Sequence, residues 1–595
     1  MDEIPRTITK ALTALGTVCL LLTVAILLRT PAATGYEISM YGAFPRYFWA
    51  LLIGTFVFGQ LAILSSAIGH EDDHGWIGGV GLMATASLIV VLLPSIRGYP
   101  VYGRADTLTH IGMIHDLEPV GIGGNIYPPT HVVTQALAGA TGQGPIDVIN
   151  LVPLVYTVLF FGAISLVVVQ LFERRQALFC LPVVLLPIMG TSFVMVIPFL
   201  FSILLVPLTV FLLLKEQRTR SVAIRALFTV SVVGVVLYHP LTAMFFLVAT
   251  VLYSVLGRTS VPSPDWSMIP NVTSLTAVVF GAWYMQHAGI IIRFRNIAND
   301  FIGPSSSESE LEATAATITE TSPALNDLLQ IAVLQRGSDV LIYGSAAMML
   351  LIVGLTWYRY GDRPDVFRLL FLVISVVFGL VATVFLTTDL IAGYGRPLLF
   401  GKTFAMLFVG VLFYELWAGA RTDGERLAVS GTFSVVLFML AILLVFSMFT
   451  SPLVFDRNHQ VTEMEIEGSE WLFEERNQDH LIEERGFRQH RYYHMHYGTV
   501  DTDPTIRWGG SSPPPHFNYT EYDTLGESYT EDRYVVLTQL SRIEYQERFP
   551  DYEDQWKFTP EDFERLETDS STHRLYDNGE FNVYLVNGTA TAPNG

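Results

Sequence analysis

One polar stretch of the chain lies between two strongly apolar segments and carries most of the candidate chemistry. It reads GRADTLTHIGMIHDLEPVGIGGNIYPPTH and covers residues 103–131. A helix beginning at Thr107 would place Asp106 and His110 one turn apart on one face. Such a pair can bind a divalent cation or act as a general base. In the alternative interpretation, Asp106 is the N-cap of a short amphipathic helix that lies on a membrane.

The second half of the stretch predicts a turn and a second helix. Glycines within 121–124 end the first helix. Tyr127-Pro128-Pro129 then enforces an extended turn before a short helix near 130–141. Asp116 is a second carboxylate that could bind a metal together with Asp106, and Mg²⁺ or Mn²⁺ would suit such oxygen ligands.

The elements that hold these residues are predicted to be membrane helices. The chain has 595 residues, of which 51% are hydrophobic and 15% charged, and its mean hydropathy is +0.43. These values are typical of a polytopic membrane protein. With about 20 apolar residues per crossing, the sequence predicts about thirteen transmembrane helices, at 11–29, 47–68, 77–96, 146–171, 177–193, 195–214, 222–238, 240–257, 268–287, 338–358, 366–387, 397–418 and 427–449.

Basic residues in short loops predict the orientation of these helices. With a cytoplasmic N-terminus, most of the Lys and Arg residues before position 451 fall in cytoplasmic loops. The same orientation places the long polar segments 97–145 and 288–337, and everything from residue 451, on the extracellular side of the cell membrane.

Charge separates the last quarter of the chain from the rest. Residues 451–595 hold 29 Asp and Glu against 12 Lys and Arg, and the net charge of the whole chain is −20. This excess of acid argues against nucleic-acid binding. Only four of the basic residues are lysines, which favours a halophilic archaeal source.

The acidic segment 451–595 is predicted to be an extracellular mixed α/β domain. The run at 469–486 predicts a helix, those at 533–540 and 581–588 predict strands, and 507–517 predicts a loop. We therefore expect three parts: two N-terminal transmembrane helices in 1–76, a membrane core in 77–450, and this domain. His490, His494 and His496 would suit a zinc site if helical, although a plain surface helix is the simpler interpretation.

The loop sequence resembles a known family. An acid directly after a span, a short helix, a glycine, Tyr127-Pro128-Pro129 and a juxtamembrane helix ending in Thr141-Gly142 are similar to the first external loop of GT-C glycosyltransferases. This resemblance implies a polyprenyl-phosphate-linked sugar donor, membrane lipids as partners, and a glycan, lipid or protein as acceptor. It implies for Asp106 the role of catalytic base or metal-organising carboxylate, with His110 as a helper. Tyr127 would lie at the substrate.

Two later segments resemble the same superfamily. The segment TTDLIAGYGRPLLFGKTF (387–404) is similar to the pattern in which an arginine opens a late span. That resemblance implies that Arg396 contacts the lipid phosphate, with Lys402 as a second cation. The segment TITE (317–320) is similar to a Thr-Ile-X-Glu of archaeal oligosaccharyltransferases and implies a substrate role for Glu320. The Trp-Trp-Asp signature of those enzymes is absent, which leaves relatives of protein O-mannosyltransferases and lipid-sugar transferases.

Two other functions are compatible with the sequence. A lipid or solute transporter would carry ionisable residues in mid-span and inverted repeats, and few such residues and no matching halves are present. A non-catalytic envelope assembly protein would not need thirteen spans. Glycosyl transfer is therefore the leading hypothesis.

Overall fold

The computed structural model describes residues 3–69, 74–188, 190–256, 269–292, 295–296, 324–361, 364–387, 393–501, 503–507 and 511–590. Helices, most of them long and apolar, make up most of the described chain before residue 450. In chain order they are α1 (Glu3–Leu27), α2 (Arg46–Ile68), α3 (Trp76–Ile96), α4 (Asp106–His115), α5 (Leu117–Gly124), α6 (Pro128–Thr141), α7 (Pro145–Val148), α8 (Val152–Leu171), α9 (Arg174–Val184), α10 (Pro198–Thr219), α11 (Val222–Tyr238), α12 (Pro240–Leu256), α13 (Ile269–Tyr284), α14 (Leu325–Tyr360), α15 (Val366–Thr387), α16 (Gly395–Gly419) and α17 (Asp423–Phe446).

Nine helices within the described residues are long and apolar enough to cross a membrane, so the chain is a multi-pass membrane protein. Each of the thirteen apolar segments contains a helix, but four of these helices are shorter than a full crossing. They are α9 with 11 residues, α13 with 16, and α11 and α12 with 17 each. At 1.5 Å per residue, α9 spans only about 16 Å.

The C-terminal segment is a small α/β unit, as predicted. Its elements are β2 (Gln460–Val461), α18 (Glu463–Glu475), β3 (Leu481–Arg485), α19 (Gln489–Tyr497), β4 (Arg533–Thr538), α20 (Gln539–Arg548), α21 (Pro560–Thr568), β5 (Thr572–Asp577) and β6 (Phe581–Val586). The four-stranded sheet has the order β3-β4-β6-β5. Strand β3 runs parallel to β4, and the other pairs are antiparallel.

The prediction of one helix over 469–486 was half wrong. Its first part lies in α18, but Leu481–Arg485 is strand β3. Pairing with β4 explains this difference, since all five residues of β3 align with Arg533–Leu537. The buried carboxylate of Glu483 accepts a hydrogen bond from Arg533 at 2.5 Å. Sheet formation therefore overrides the helical tendency of the sequence.

The polar stretch and the C-terminal unit are joined. Strand β1 (Val101–Tyr102) pairs antiparallel with β2. Two residues further on, Arg104 donates to Glu465 at 2.5 and 2.8 Å, and both side chains are buried. These contacts fix the loop after α3 against the C-terminal unit.

Candidate functional site

Asp106 opens α4 just after the chain leaves β1. Ala105, not Asp106, occupies the N-cap position, and Asp106 is the first residue of the helix. The side chain of Asp106 is 60% exposed. A carboxylate in the first helical turn is favoured by the helix dipole. The carboxylate of Asp106 is exposed and is not part of the core.

The partner of Asp106 comes from the C-terminal unit. Arg491 of α19 places Nη2 2.9 Å from Oδ1 of Asp106, and its Nη1 donates to Thr109 Oγ1 at 2.8 Å. His494, one turn further along α19, has Nδ1 3.2 Å from the same Thr109 hydroxyl. One arginine and one histidine of α19 therefore lie along the face of α4 that carries Asp106.

Glycine makes the close packing of α4 on α19 achievable. A Cβ at Gly112 would collide with the backbone carbonyl of His494. Where α19 ends, Gly498 has a φ of +87°, and a Cβ there would meet the carboxylate of Asp116. Any larger side chain at either position would separate the two helices.

A buried histidine pair lies behind Asp106. His110 Nδ1 is 3.1 Å from His131 Nε2, and His131 Nδ1 is 2.8 Å from Asn125 Oδ1. The amide of Asn125 is oriented by its donation to Met113 O at 3.1 Å. Because Asn125 Oδ1 accepts, His131 carries its proton on Nδ1 and accepts at Nε2 from His110 Nδ1, which leaves the lone pair of His110 on Nε2. His110 thus directs Nδ1 at His131, and its catalytic pairing with Asp106 stays a prediction.

Burial keeps both imidazoles neutral. Loss of hydration lowers the pKa of His110 to about 4, although the charge of Asp106 acts in the opposite direction. Loss of hydration, reinforced by His110, also lowers the pKa of His131 well below its usual value. At neutral pH the pair is therefore a hydrogen-bonded support, and the exposed carboxylate of Asp106 is the candidate base.

A row of rings links this loop to Arg396. The ring of Tyr127 stacks on that of His239 at 5.4 Å, and His239 meets Phe199 edge-on at 5.1 Å. At the Phe199 end of this row, the guanidinium of Arg396 lies over the ring of Phe199, 5.6 Å from its centre. His110 contacts Tyr127 at 5.9 Å. His110, Tyr127 and Arg396, which the sequence singled out separately, thus belong to one contiguous set.

The chain around the start of α10 contacts both the α4 loop and Arg396. Thr107, next to Asp106, donates to the carbonyl of Val196 at 3.5 Å. Three residues later, Phe199 lies under Arg396. The α4 loop and the start of α16 therefore converge on residues 196–199.

Lys402 lies in a different environment from Arg396. Its ammonium group is buried, 2.6 Å from Asp339 Oδ1, and donates to Ser338 Oγ at 3.3 Å. Six helical residues separate it from Arg396, which corresponds to about 120° around the helix. The two cations therefore have different neighbours, and their sharing of one phosphate stays a prediction.

Asp116 is placed as a structural residue. It is buried, and its Oδ2 accepts from the Thr499 amide at 2.7 Å and from the Thr499 hydroxyl at 2.6 Å. Across the described residues, no group of three His, Cys, Asp or Glu side chains is placed to hold a metal ion. The divalent cation, with Asp106 and Asp116 as its ligands, stays a prediction, as does zinc at the α19 histidines.

Some predicted residues lie elsewhere, and some residues of the site were not predicted. Glu320 lies outside the described residues. Arg491 was missed because nothing in its local sequence indicates a contact 382 positions away. His239 precedes a proline at the break between α11 and α12, a pattern typical of a turn rather than of a site. Its stacking on Tyr127 gives it a place beside the site.

The known proteins that the chain is similar to are solved structures. No protein-family profile matches the chain, and no curated protein matches it. Among solved structures, ArnT from Cupriavidus metallidurans in the apo state is similar with 12% identity and a TM-score of 0.44, over 86% of this chain and 98% of that one. ArnT bound to undecaprenyl phosphate gives the same identity and TM-score, over 87% and 99%. Neither similarity assigns a role to a residue of this chain.

Proposed function

We propose that the chain is a membrane glycosyltransferase. It transfers a sugar from a polyprenyl-phosphate-linked donor to an acceptor hydroxyl at the outer face of the cell membrane. One observation carries the proposal. Thr107, the residue after Asp106, donates to the carbonyl of Val196, and the guanidinium of Arg396 lies over Phe199, so the helices that begin at or next to these two candidate residues approach the same short segment, 196–199.

In this reaction Asp106 takes the proton from the acceptor hydroxyl. The freed oxygen attacks C1 of the donor sugar, and the bond between C1 and the phosphate oxygen breaks. The leaving phosphate gains negative charge, which the planar guanidinium of Arg396 stabilises through paired hydrogen bonds. The stacked rings of Tyr127 and His239 line one side of the proposed site. Such aromatic faces suit the apolar face of a sugar ring.

Arg491 positions the base in this proposal. Its contacts with Asp106 and Thr109 fix the carboxylate relative to α4. Because Arg491 belongs to the C-terminal unit, that unit takes part in forming the acceptor side of the site.

The test uses the full-length protein with a radiolabelled polyprenyl-phosphate sugar and membrane extract. We expect Asp106→Asn to lower transfer by about 10²- to 10⁴-fold, as loss of a general base does. We expect Arg396→Gln to lower kcat by roughly 10²-fold. Arg491→Lys keeps the positive charge but loses the two-nitrogen guanidinium that contacts Asp106 and Thr109 together, so we expect a decrease in transfer that is smaller than that of Asp106→Asn.

Glu118→Gln is the matched control, because Glu118 is an exposed acid of the same loop. It should leave transfer unchanged. Full transfer by Asp106→Asn would remove that residue from the mechanism. Movement of intact donor across a vesicle membrane without transfer would favour the transporter hypothesis instead.

A further inference from the structure

A polar cavity of about 280 Å³ lies apart from the ring row described above. It is formed where α16 begins and α17 ends, against α14 and the short 3-10 turn Gly190–Val194. Its polar lining includes Thr191, Ser192, Arg336, Asp339 and Lys402. Its volume is near the lower end of the range for small-molecule sites.

The described lining of this cavity carries a surplus of positive charge. Asp339 accepts from Lys402 at 2.6 Å and from Arg336 at 3.3 Å, so two cations share one carboxylate. Asp339 is the sole acid among the lining residues in the described part of the chain. Lys402 is only 4% exposed. A buried cation is expensive unless it is balanced, and Asp339 balances Lys402. The surplus positive charge is therefore that of Arg336, which is available to a further anion.

The geometry around Arg336 leaves room for that anion. Its guanidinium stacks on Tyr394 at 4.7 Å and donates to the Tyr394 hydroxyl. The side chain is still 42% exposed, so part of its donor fork faces the opening. Thr191 and Ser192 add hydroxyl groups to the lining, and such groups suit phosphate oxygens.

Part of the remaining lining is apolar and part is polar, the polar part being Gln335, Ser338, Ser447 and Thr450. Leu398, Leu399 and Val454 line the same cavity. The cavity lies at helix ends, where the hydrocarbon region of a membrane gives way to headgroups. A ligand with a phosphate group and an apolar chain would fit both the cationic and the apolar part of the lining.

We propose that this cavity binds the phosphate headgroup of a lipid, with the phosphate between Arg336 and Lys402 and the chain along the leucine wall. The site is separate from Arg396, which lies on another face of α16. It does not depend on the proposed transfer reaction. In this proposal Lys402 binds the phosphate of this second lipid and not the donor phosphate proposed at Arg396.

The test is a binding measurement on the full chain in neutral detergent by native mass spectrometry. Phosphatidic acid is the probe, phosphatidylcholine is the zwitterionic comparison, and inorganic phosphate is the competitor that carries no chain. We expect phosphatidic acid to bind and phosphatidylcholine to bind at least about tenfold more weakly, because the choline charge cancels the attraction. Inorganic phosphate should not displace the lipid.

Two variants probe the cavity. Arg336→Gln should weaken phosphatidic acid about tenfold, since a charge-assisted hydrogen bond is lost. Gln335→Glu removes no ion pair and adds a negative charge to an exposed lining position, so it should weaken binding even if the first variant folds poorly. Arg359→Gln, at the far end of α14, is the control and should bind like the wild type.

Three results would overturn the proposal. One is equal binding by Gln335→Glu, Arg336→Gln and the Arg359 control. Another is equal affinity for the two lipids, which would show that the charge is not recognised. The third is displacement by inorganic phosphate at its own binding concentration, which would assign the cavity to free phosphate rather than to a lipid.

Discussion

The buried pair His110 and His131 is the feature whose pH dependence can be predicted at the scale of single residues. In the folded chain burial lowers the pKa of His110 to about 4 and the pKa of His131 well below its usual value. The unfolded chain has histidine pKa values near 6.5. Between pH 6.5 and about 4 the unfolded state therefore binds more protons than the folded state. Stability conferred by the neutral pair is present above this window and is lost as the pH falls through it.

We predict that the thermal unfolding temperature in detergent decreases from pH 6.5 to about pH 4, and that His131→Gln reduces the slope. Each unit of pKa difference is worth about 1.4 kcal/mol at full protonation. His459 and His496, whose pKa values burial also lowers to about 4, contribute to the slope of both proteins. His115→Gln, at an exposed position of α4, is the control. If the unfolding temperature of His131→Gln falls with pH as steeply as that of the wild type, the buried histidine pair does not cause the pH dependence.

At the scale of elements, the packing of α4 on α19 depends on Gly112. We predict that Gly112→Ala costs about 1–3 kcal/mol, as overpacking does, because the new Cβ must push the His494 carbonyl away. The displacement also separates Arg491 from Asp106, so transfer should fall together with the unfolding temperature.

Gly139→Ala on α6 provides the comparison for this prediction. Nothing lies within 4 Å of a Cβ there, and alanine is the better helix former, so the variant should be as stable as the wild type or slightly more stable. Equal stability of the two variants would show that α4 and α19 tolerate a wider separation.

The sequence predicted elements where the pattern is local. Apolar runs indicated the membrane helices of the described residues. Tyr127-Pro128-Pro129 predicted a turn before a helix near 130–141, and α6 begins two residues earlier, at Pro128. Prediction failed where a distant partner decides the structure. Strand β3 exists because β4 pairs with it. For the same reason the contact of Arg491 with Asp106 could not be predicted, whereas the positions of Asp106 and Arg396 next to spans could.

At the scale of the whole molecule, the pair of Arg104 and Glu465 joins the polar loop to the C-terminal unit. Their side chains are 7% and 1% exposed. We predict that Arg104→Met costs about 3–5 kcal/mol, because Glu465 is left buried without its partner. Limited proteolysis should then release the segment after residue 450 more readily. The double variant Arg104→Met/Glu465→Leu should recover much of the stability.

Arg574→Met is the control for this prediction, because Arg574 pairs with Glu567 at the surface. Its effect should be below about 1 kcal/mol. If the single and double variants at Arg104 lose equal stability, the pair does not hold the two regions together.

The contact between Thr109 and Arg491 also sets an order of events during biosynthesis. Its two residues are 382 positions apart. At about 5–20 residues per second, the ribosome needs on the order of 20 to 80 s between them. During that interval the loop carrying Asp106 has already left the ribosome but lacks its arginine, so the candidate base is fixed in place only after nearly the whole polypeptide has been translated. A chain stopped before α19 would contain nearly every membrane helix and still lack an assembled site.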